Sequence, residues 1–250
     1  MIVLKTSREL AVMRKAGIIS QRALRLAGSM VEPGVSTWEI DKEVRRYIES
    51  QRAKPSFLGY DGYPASTCIS VNHVVIHGIP KKSVILQEGD IVGIDVGAQY
   101  EGFHGDNAWT FPCGKISGEA QALLDATEKA LFLAIEKARP GSRLGDIGHT
   151  VQEYVEARSY SVVREFTGHG VGADMHEDPS VPNYGTPGRG VRLTAGMVIA
   201  IEPMINLGRR EIEVKPDGWT VVTKDGSLSA HFEHTVAITP NGPVILTLPD

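Results

Sequence analysis

At 250 residues, with 42% hydrophobic residues and a formal net charge of −4, the chain is long enough to bury a sizeable core, and its charge gives no support for DNA or general membrane-surface binding. No run of eighteen apolar residues is present, so no membrane span is expected, and the N-terminal Met1 to Glu9 has no signal-peptide or transit-peptide character. Cys68 and Cys113 lie in apolar runs outside any CxxC motif, which fits free thiols in a soluble cytoplasmic protein.

Thr6 and Glu9 make a capping-box pattern before a helix that Leu10, Met13, Leu24 and Ala27 carry to about Ser29. Pro33-Gly34 breaks it. Ser36 with Glu39 caps a second helix through about Gln51, with Ile40, Val44, Tyr47 and Ile48 as its apolar stripe. A Gly-, Tyr- and Pro-rich loop over residues 57–64 leads to strands over 68–71 and 74–76. A carboxylate-bearing hairpin then runs from Asp90, turning at 99–102, to near Pro112. In the second half, helices are predicted over 117–138, stopped by Pro140-Gly141, and over 144–158. Strands follow around 162–166, 197–205, 212–214, 220–222 and 234–238, with a Pro/Gly-rich loop at 178–192.

The hairpin is the informative stretch. Ile91-Val92-Gly93-Ile94-Asp95-Val96 is apolar on both faces but for one carboxylate; Asp95 shares a face with Gly93 and Ile91, while Val92, Ile94 and Val96 take the other. A lone buried carboxylate is costly unless it is paired or bound to metal. Eleven residues on, Asp106 returns on the neighbouring antiparallel strand, and two facing acids make half of a divalent-metal site.

The other half lies in a repeat. Residues 86–95 align with 193–202, placing Glu202 at the position of Asp95, 107 residues on, and Ala200 at that of Gly93. The same offset matches Leu24, Pro33, Gly34 and Ile40 with Leu131, Pro140, Gly141 and Ile147. Two alignments at one offset indicate an internal duplication, with a period too long for a solenoid. The expected fold is α+β: one catalytic domain of two pseudo-symmetric halves, about 1–115 and 116–250, with antiparallel sheet flanked by helices and the carboxylates meeting on the two-fold axis. The second pair of acids, Glu202 and Glu233, is 31 residues apart rather than 11, so about twenty extra residues sit in that hairpin.

A nitrogen ligand fits at His169, within Thr167-Gly168-His169-Gly170-Val171-Gly172, where flanking glycines permit close approach. Carboxylates with one imidazole suit Mn²⁺, Fe²⁺, Co²⁺ or Zn²⁺. Four carboxylates overcharge a single ion, and two ions with shared carboxylates balance better. His77 and His176 precede Pro80 and Pro179 in parallel contexts, so either they hydrogen-bond a substrate carbonyl or leaving amide, or they are ordinary loop histidines. His104 and His231 are candidates to support the ligands.

These residues lie in motifs that resemble the type I methionine aminopeptidases over residues 3–248: Asn72-His73-Val74-Val75-Ile76-His77-Gly78-Ile79-Pro80, Ile94-Asp95-Val96, Gly102-Phe103-His104-Gly105-Asp106, Gly168-His169-Gly170-Val171-Gly172, Ile201-Glu202-Pro203 and Phe232-Glu233-His234. The resemblance implies a duplicated pita-bread fold. It also implies removal of the initiator methionine from nascent polypeptides with a small second residue, by a water held between two divalent ions (Co, Mn, Fe or Zn). By the resemblance, Asp106 and Glu233 bridge the metals, Asp95 holds one ion, and His169 with Glu202 holds the other. His77 would contact the scissile amide, His176 would steady the developing oxyanion, and Glu202 would shuttle the proton. The methionine pocket would be formed by Phe57, Tyr60, Tyr63, Cys68, His77, Met175, His176 and Trp219, with a monovalent cation at Asn72, Val74 and Ser229. The implied partners are the N-termini of nascent peptides, with the ribosome near its exit tunnel left open and a monomer expected.

Three residues depart from the family pattern: Phe57 stands for a smaller cysteine, Met175 for phenylalanine, and Asn107 for a commoner hydroxyl residue. The short separation of His169 and Glu202 argues against type II. Two other readings compete. An Xaa-Pro peptidase of this fold usually carries an extra N-terminal domain, for which 250 residues leave no space. A metal-free binding protein for nucleic acid or ribosomes would have lost ligands and gained a basic face.

Overall fold

The helix starts follow directly from their caps in the computed structural model, which describes residues 1–248. At α1 (Ser7–Ser29) the Glu9 N–H donates to the Thr6 hydroxyl at 3.3 Å, and the Thr6 N–H donates to the Glu9 carboxylate at 2.7 Å. Ser36 and Glu39 repeat the exchange at α2 (Thr37–Ser50). Such a cap contributes about 1 kcal/mol. Ser117 caps α3 (Gly118–Lys137), and Asp146 reaches back to the Arg143 N–H at α4 (Leu144–Glu156). None of the described helices is long and apolar enough to cross a membrane.

The first half holds β1 (Lys54–Pro55), β2 (Thr67–Val71), β3 (Val74–Ile76), β4 (Ile91–Tyr100) and β5 (Phe103–Pro112). Strands β4 and β5 pair without a break over ten residues each. Their turn is two residues long, Glu101 (φ 47) and Gly102 (φ 87), both left-handed as the right-handed twist of a tight hairpin requires. That turn is shorter than the expected 99–102, and it corrects one expectation. Asp95 pairs with Ala108 and Gly97 with Asp106, so the two acids share a face diagonally rather than facing each other. Val92, Ile94 and Val96 are fully buried in one cluster with Ala23, Leu24 and Ala27 of α1 and Ile40, Val44 and Ile48 of α2. Burying such side chains contributes roughly 1.5–3 kcal/mol each.

The second half holds β6 (Ser161–Val162), β7 (Gly168–Gly170), β8 (Glu177–Val181), β9 (Val198–Ile201), β10 (Met204–Asn206), β11 (Ile212–Val214), β12 (Val221–Thr223), β13 (Ser229–His231), β14 (His234–Thr239) and β15 (Gly242–Ile245). Five of them form a sheet in the order β15-β14-β9-β7-β8, covered by α3 and α4. The sheet β11-β12-β3 pairs the second half with the first. Strands β7, β13 and β15 were not expected, and three expected elements are altered. The strand expected over 197–205 breaks between β9 and β10 at Glu202-Pro203, because proline has no N–H and restricts the residue before it. The strand expected over 162–166 is only β6. The loop expected from 178 begins as β8, an edge strand, where Pro179 is tolerated.

The halves are stitched along β5. The Glu233 N–H donates to the Ala108 carbonyl at 2.8 Å, and the Ala108 N–H donates to the Glu233 carbonyl at 3.4 Å. The Thr235 hydroxyl accepts from the Asp106 N–H at 3.0 Å and donates to the Asp106 carbonyl at 2.7 Å. Trp109 packs against the buried clusters of both halves. Cys68 and Cys113 are both buried free thiols.

Candidate metal centre

The seam brings acids from both hairpins to one place. Asp95, Asp106, Glu202, Glu233 and His169 all line a single cavity of about 290 Å³. His169 stands on β7 between glycines that cannot be replaced: a Cβ at Gly168 would lie 2.3 Å from the Ala200 carbonyl oxygen, and one at Gly170 would lie 2.3 Å from that of Asp178. These close approaches place the imidazole Nε2 3.5 Å from Glu202 Oε1 and 3.8 Å from Asp106 Oδ2. Ligand atoms of Asp106, His169 and Glu233 lie within 4.8 Å of one another.

The chemistry of this donor set suits a divalent cation. His169 Nδ1 lies 2.9 Å from the Gly170 carbonyl, which only accepts, so the hydrogen sits on Nδ1 and Nε2 turns a lone pair toward the carboxylates. Burial drives the pKa of His169 down to about 3, with His176 adding to it, so this imidazole is neutral at physiological pH. A lone pair facing carboxylate oxygens is repulsive unless a cation lies between them.

The carboxylates are equally short of partners. Asp95 Oδ1, Asp106 Oδ1 and Glu233 Oε1 are buried without a hydrogen bond. Burial pushes Asp106 up to about 7. It holds Asp95, Glu202 and Glu233 well above the usual carboxylate range, with mutual repulsion as the next cause. Such acids stay ionised only beside concentrated positive charge.

The rest of the cavity is an apolar slot. Phe57, Tyr63, Cys68 and Met175 cluster with Tyr60 and Trp219. Every residue expected in the methionine pocket lines it. Tyr63 meets Trp219 edge-on at 5.0 Å, and the Tyr63 hydroxyl donates to a main-chain carbonyl, Thr67 at 3.0 Å or Gly78 at 3.1 Å. His77 has a left-handed backbone (φ 58), a strained conformation for a side-chain-bearing residue. Its ring stands edge-on to Phe166 and Trp219, and burial lowers its pKa to about 4. His176 lies over His169, 4.1 Å between ring centres, with Nδ1 2.8 Å from the Tyr60 hydroxyl.

Ile76, Glu165, Phe166 and Thr167 also line the slot but were not expected there; the only signal for them is adjacency to His77 and His169. His231 Nε2 lies 3.5 Å from Glu202 Oε2. His104 is instead tied to Ser56 at 2.8 Å and Gln99 at 3.1 Å. The residues expected to hold a monovalent cation are neighbours only in part. The Ser229 N–H donates to the Asn72 carbonyl, the Asn72 side chain is engaged by Asp90 and the Ile91 N–H, and Val74 pairs with Val222.

Comparison with known proteins identifies the family. The model of metallopeptidase family M24 matches residues 11–240. The chain is 55% identical to the methionine aminopeptidase of Clostridium perfringens, covering 99% of each. It is 51% identical to methionine aminopeptidase 1 of Bacillus subtilis, again over 99% of each. The crystal structure of methionine aminopeptidase from Thermotoga maritima superposes with a TM-score of 0.98 at 48% identity over the full length of both chains.

Proposed function

The chain belongs to metallopeptidase family M24 and, within it, to the methionine aminopeptidases, and we propose that it removes the initiator methionine from nascent polypeptides whose second residue is small. The observation that carries this reading is the neutral His169 Nε2 lone pair facing Glu202 and Asp106, in a group of four acids of which three hold a buried oxygen without a hydrogen bond, beside an apolar slot of side-chain size.

Two divalent ions would be held by Asp95, Asp106, His169, Glu202 and Glu233, of which Asp106 and Glu233 lie on the two sides of the seam. When bound, such ions polarise a carbonyl and lower the pKa of water toward neutrality. The chain's own residues do the rest. The slot of Phe57, Tyr60, Tyr63, Cys68, Met175 and Trp219 takes the methionine side chain and excludes water. With the Tyr60 hydroxyl donating to Nδ1, His176 carries its hydrogen on Nε2 and offers it to the oxyanion that develops on the scissile carbonyl. His77, neutral at physiological pH, hydrogen-bonds the scissile amide. A Glu202 oxygen takes the proton of the attacking water and delivers it to the leaving amine, while His231 holds the other Glu202 oxygen in place. A monovalent cation at Asn72, Val74 and Ser229, a monomeric state and a cytoplasmic location complete the proposal.

The test is methionine release from Met-Ala-Ser by metal-stripped protein with Mn²⁺, Co²⁺ or Fe²⁺ added back, with Asp95→Asn as a blank and Ala-Pro-Ala as a competitor. Metal-dependent release from Met-Ala-Ser, lost in the variant, is expected. Cleavage of Ala-Pro-Ala alone would move the reading to an Xaa-Pro peptidase. No turnover with any metal in a folded protein would overturn a peptidase function.

A further inference from the structure

A second cavity, of about 220 Å³, lies on the other side of the same strands. Neighbouring residues on a strand point to opposite faces. Asp106 and Glu233 line the first cavity, while their chain neighbours Asn107 and His234 line the second. The proposed mechanism uses neither residue.

The polar floor of this cavity is unsatisfied. Asn107 is 0% exposed, and neither its carboxamide oxygen nor its nitrogen has a hydrogen-bond partner. His234 is 3% exposed; its Nδ1 lies 2.9 Å from the Thr247 hydroxyl, and its Nε2 has no partner. Buried polar groups are nearly always paired, so three unpaired atoms at one cavity point to something that pairs them. The walls are a different matter, since Leu24 on α1 and Trp109 and Phe111 on β5 are apolar. Water would satisfy the floor and leave these walls wet. The complement is a molecule with a flat apolar body and one polar edge.

The edge is specified by Asn107, whose carboxamide offers one donor group and one acceptor side by side, the pairing that reads an adjacent acceptor and donor on a planar ring. A hydroxyl in its place would donate and accept through a single atom and could not present the two side by side. Net charge on the ligand is disfavoured either way. The largely apolar walls make a desolvated charge costly, and Arg25 on the lining further repels a cation.

We propose that this cavity binds a small, uncharged, planar molecule of the aromatic carboxamide or cyclic amide class. Asn107 pairs with both its donor and its acceptor, His234 Nε2 makes a third hydrogen bond, and the ring lies against Trp109.

The test uses the metal-loaded full chain with excess methionine present to fill the first cavity. Benzamide and nicotinamide are titrated while the ring-proton signals of Trp109 and His234 are followed by NMR, with toluene and benzoate as comparators. Saturable shifts at both rings are expected, with a Kd of about 1 mM or tighter. Toluene and benzoate should bind at least about tenfold more weakly, as should benzamide to Asn107→Ser. Gln21→Trp, a change on α1 that alters no residue of the strands carrying the acids, should abolish binding and leave methionine release unchanged. No shift up to about 10 mM, equal shifts with toluene, or binding undiminished in Gln21→Trp would overturn the proposal and leave a hydrated packing space.

Discussion

The two acid-bearing hairpins reach one centre by different constructions. In the first, Asp95 and Asp106 sit inside unbroken ten-residue strands joined by a two-residue turn, diagonal across the ladder. In the second, Glu202 follows β9 and Glu233 precedes β14; one step beyond the His234–Ile201 pair sets the two opposite each other at the open end of the ladder. Between them the chain leaves through β10 to β13, and this excursion brings Trp219 to the slot and His231 to Glu202. The continuous hairpin offers a rigid register for short aspartates. The broken one uses longer glutamates and spends its extra length on recognition. Both halves thus supply acids and slot residues, and the excursion adds Trp219 to a slot that Phe57, Tyr60, Tyr63 and Cys68 of the first half begin.

Substitutions that strike the shared seam should erase that difference. Asp106→Asn should lower kcat/KM by at least about 10³-fold, because both of the proposed ions would lose a ligand, and Glu233→Gln should match it in methionine-release assays at saturating Mn²⁺. A tenfold gap between the two would break the equivalence of the hairpins. The next effect falls on stability. Lys5 and Glu177 form a buried pair at 2.5 Å, lying across Gly172 beneath the segment that carries His176. Lys5→Met leaves the largely buried Glu177 carboxylate with only the Asp174 N–H at 3.3 Å and should cost about 3 kcal/mol, read as a fall in Tm of about 10 °C. Adding Glu177→Gln should recover part of it.

The pH dependence of metal-free protein sharpens the comparison further. All four acids have folded pKa values above their unfolded ones, so their contribution is fully present at acid pH and lost as pH rises through those raised values, about 7 for Asp106. His77 and His234 near 4 and His169 and His231 near 3 are depressed, so theirs is present above the ordinary histidine range and lost on acidification. Between about pH 4 and 6.5 the two sets oppose each other. Above about pH 6.5 only the acids act, and Tm should fall as pH rises through about 7, with saturating Mn²⁺ abolishing the fall. A rising Tm over that range would contradict the burial of these charges. The smallest effect belongs to the excursion: Trp219→Ala should raise KM for Met-Ala-Ser about tenfold, the scale of lost apolar contact, and change kcat less.

What the amino-acid order reveals here is local. Asp95 stands out because a carboxylate interrupts an apolar run, and His169 because glycines crowd it. Glu202 stands out because its surroundings repeat those of Asp95. The diagonal placement of Asp95 and Asp106 was hidden, because it depends on whether two or four residues make the turn. The Lys5–Glu177 pair was hidden because its members are 172 residues apart and neither has an unusual neighbourhood in sequence. Phe166 and Ile76 enter the slot through packing of whole strands, for which no short-range pattern exists. The excursion was visible as extra length, but not where it returns.

The most direct measurement is the stoichiometry of Mn²⁺ binding by calorimetry on metal-stripped protein, for the native chain, Asp95→Asn and Asp106→Asn. Acids from both hairpins forming one centre with shared carboxylates predict two ions per chain, one retained tightly in Asp95→Asn, and both weakened in Asp106→Asn. A single ion per chain whose affinity is indifferent to Asp106→Asn would contradict the shared centre.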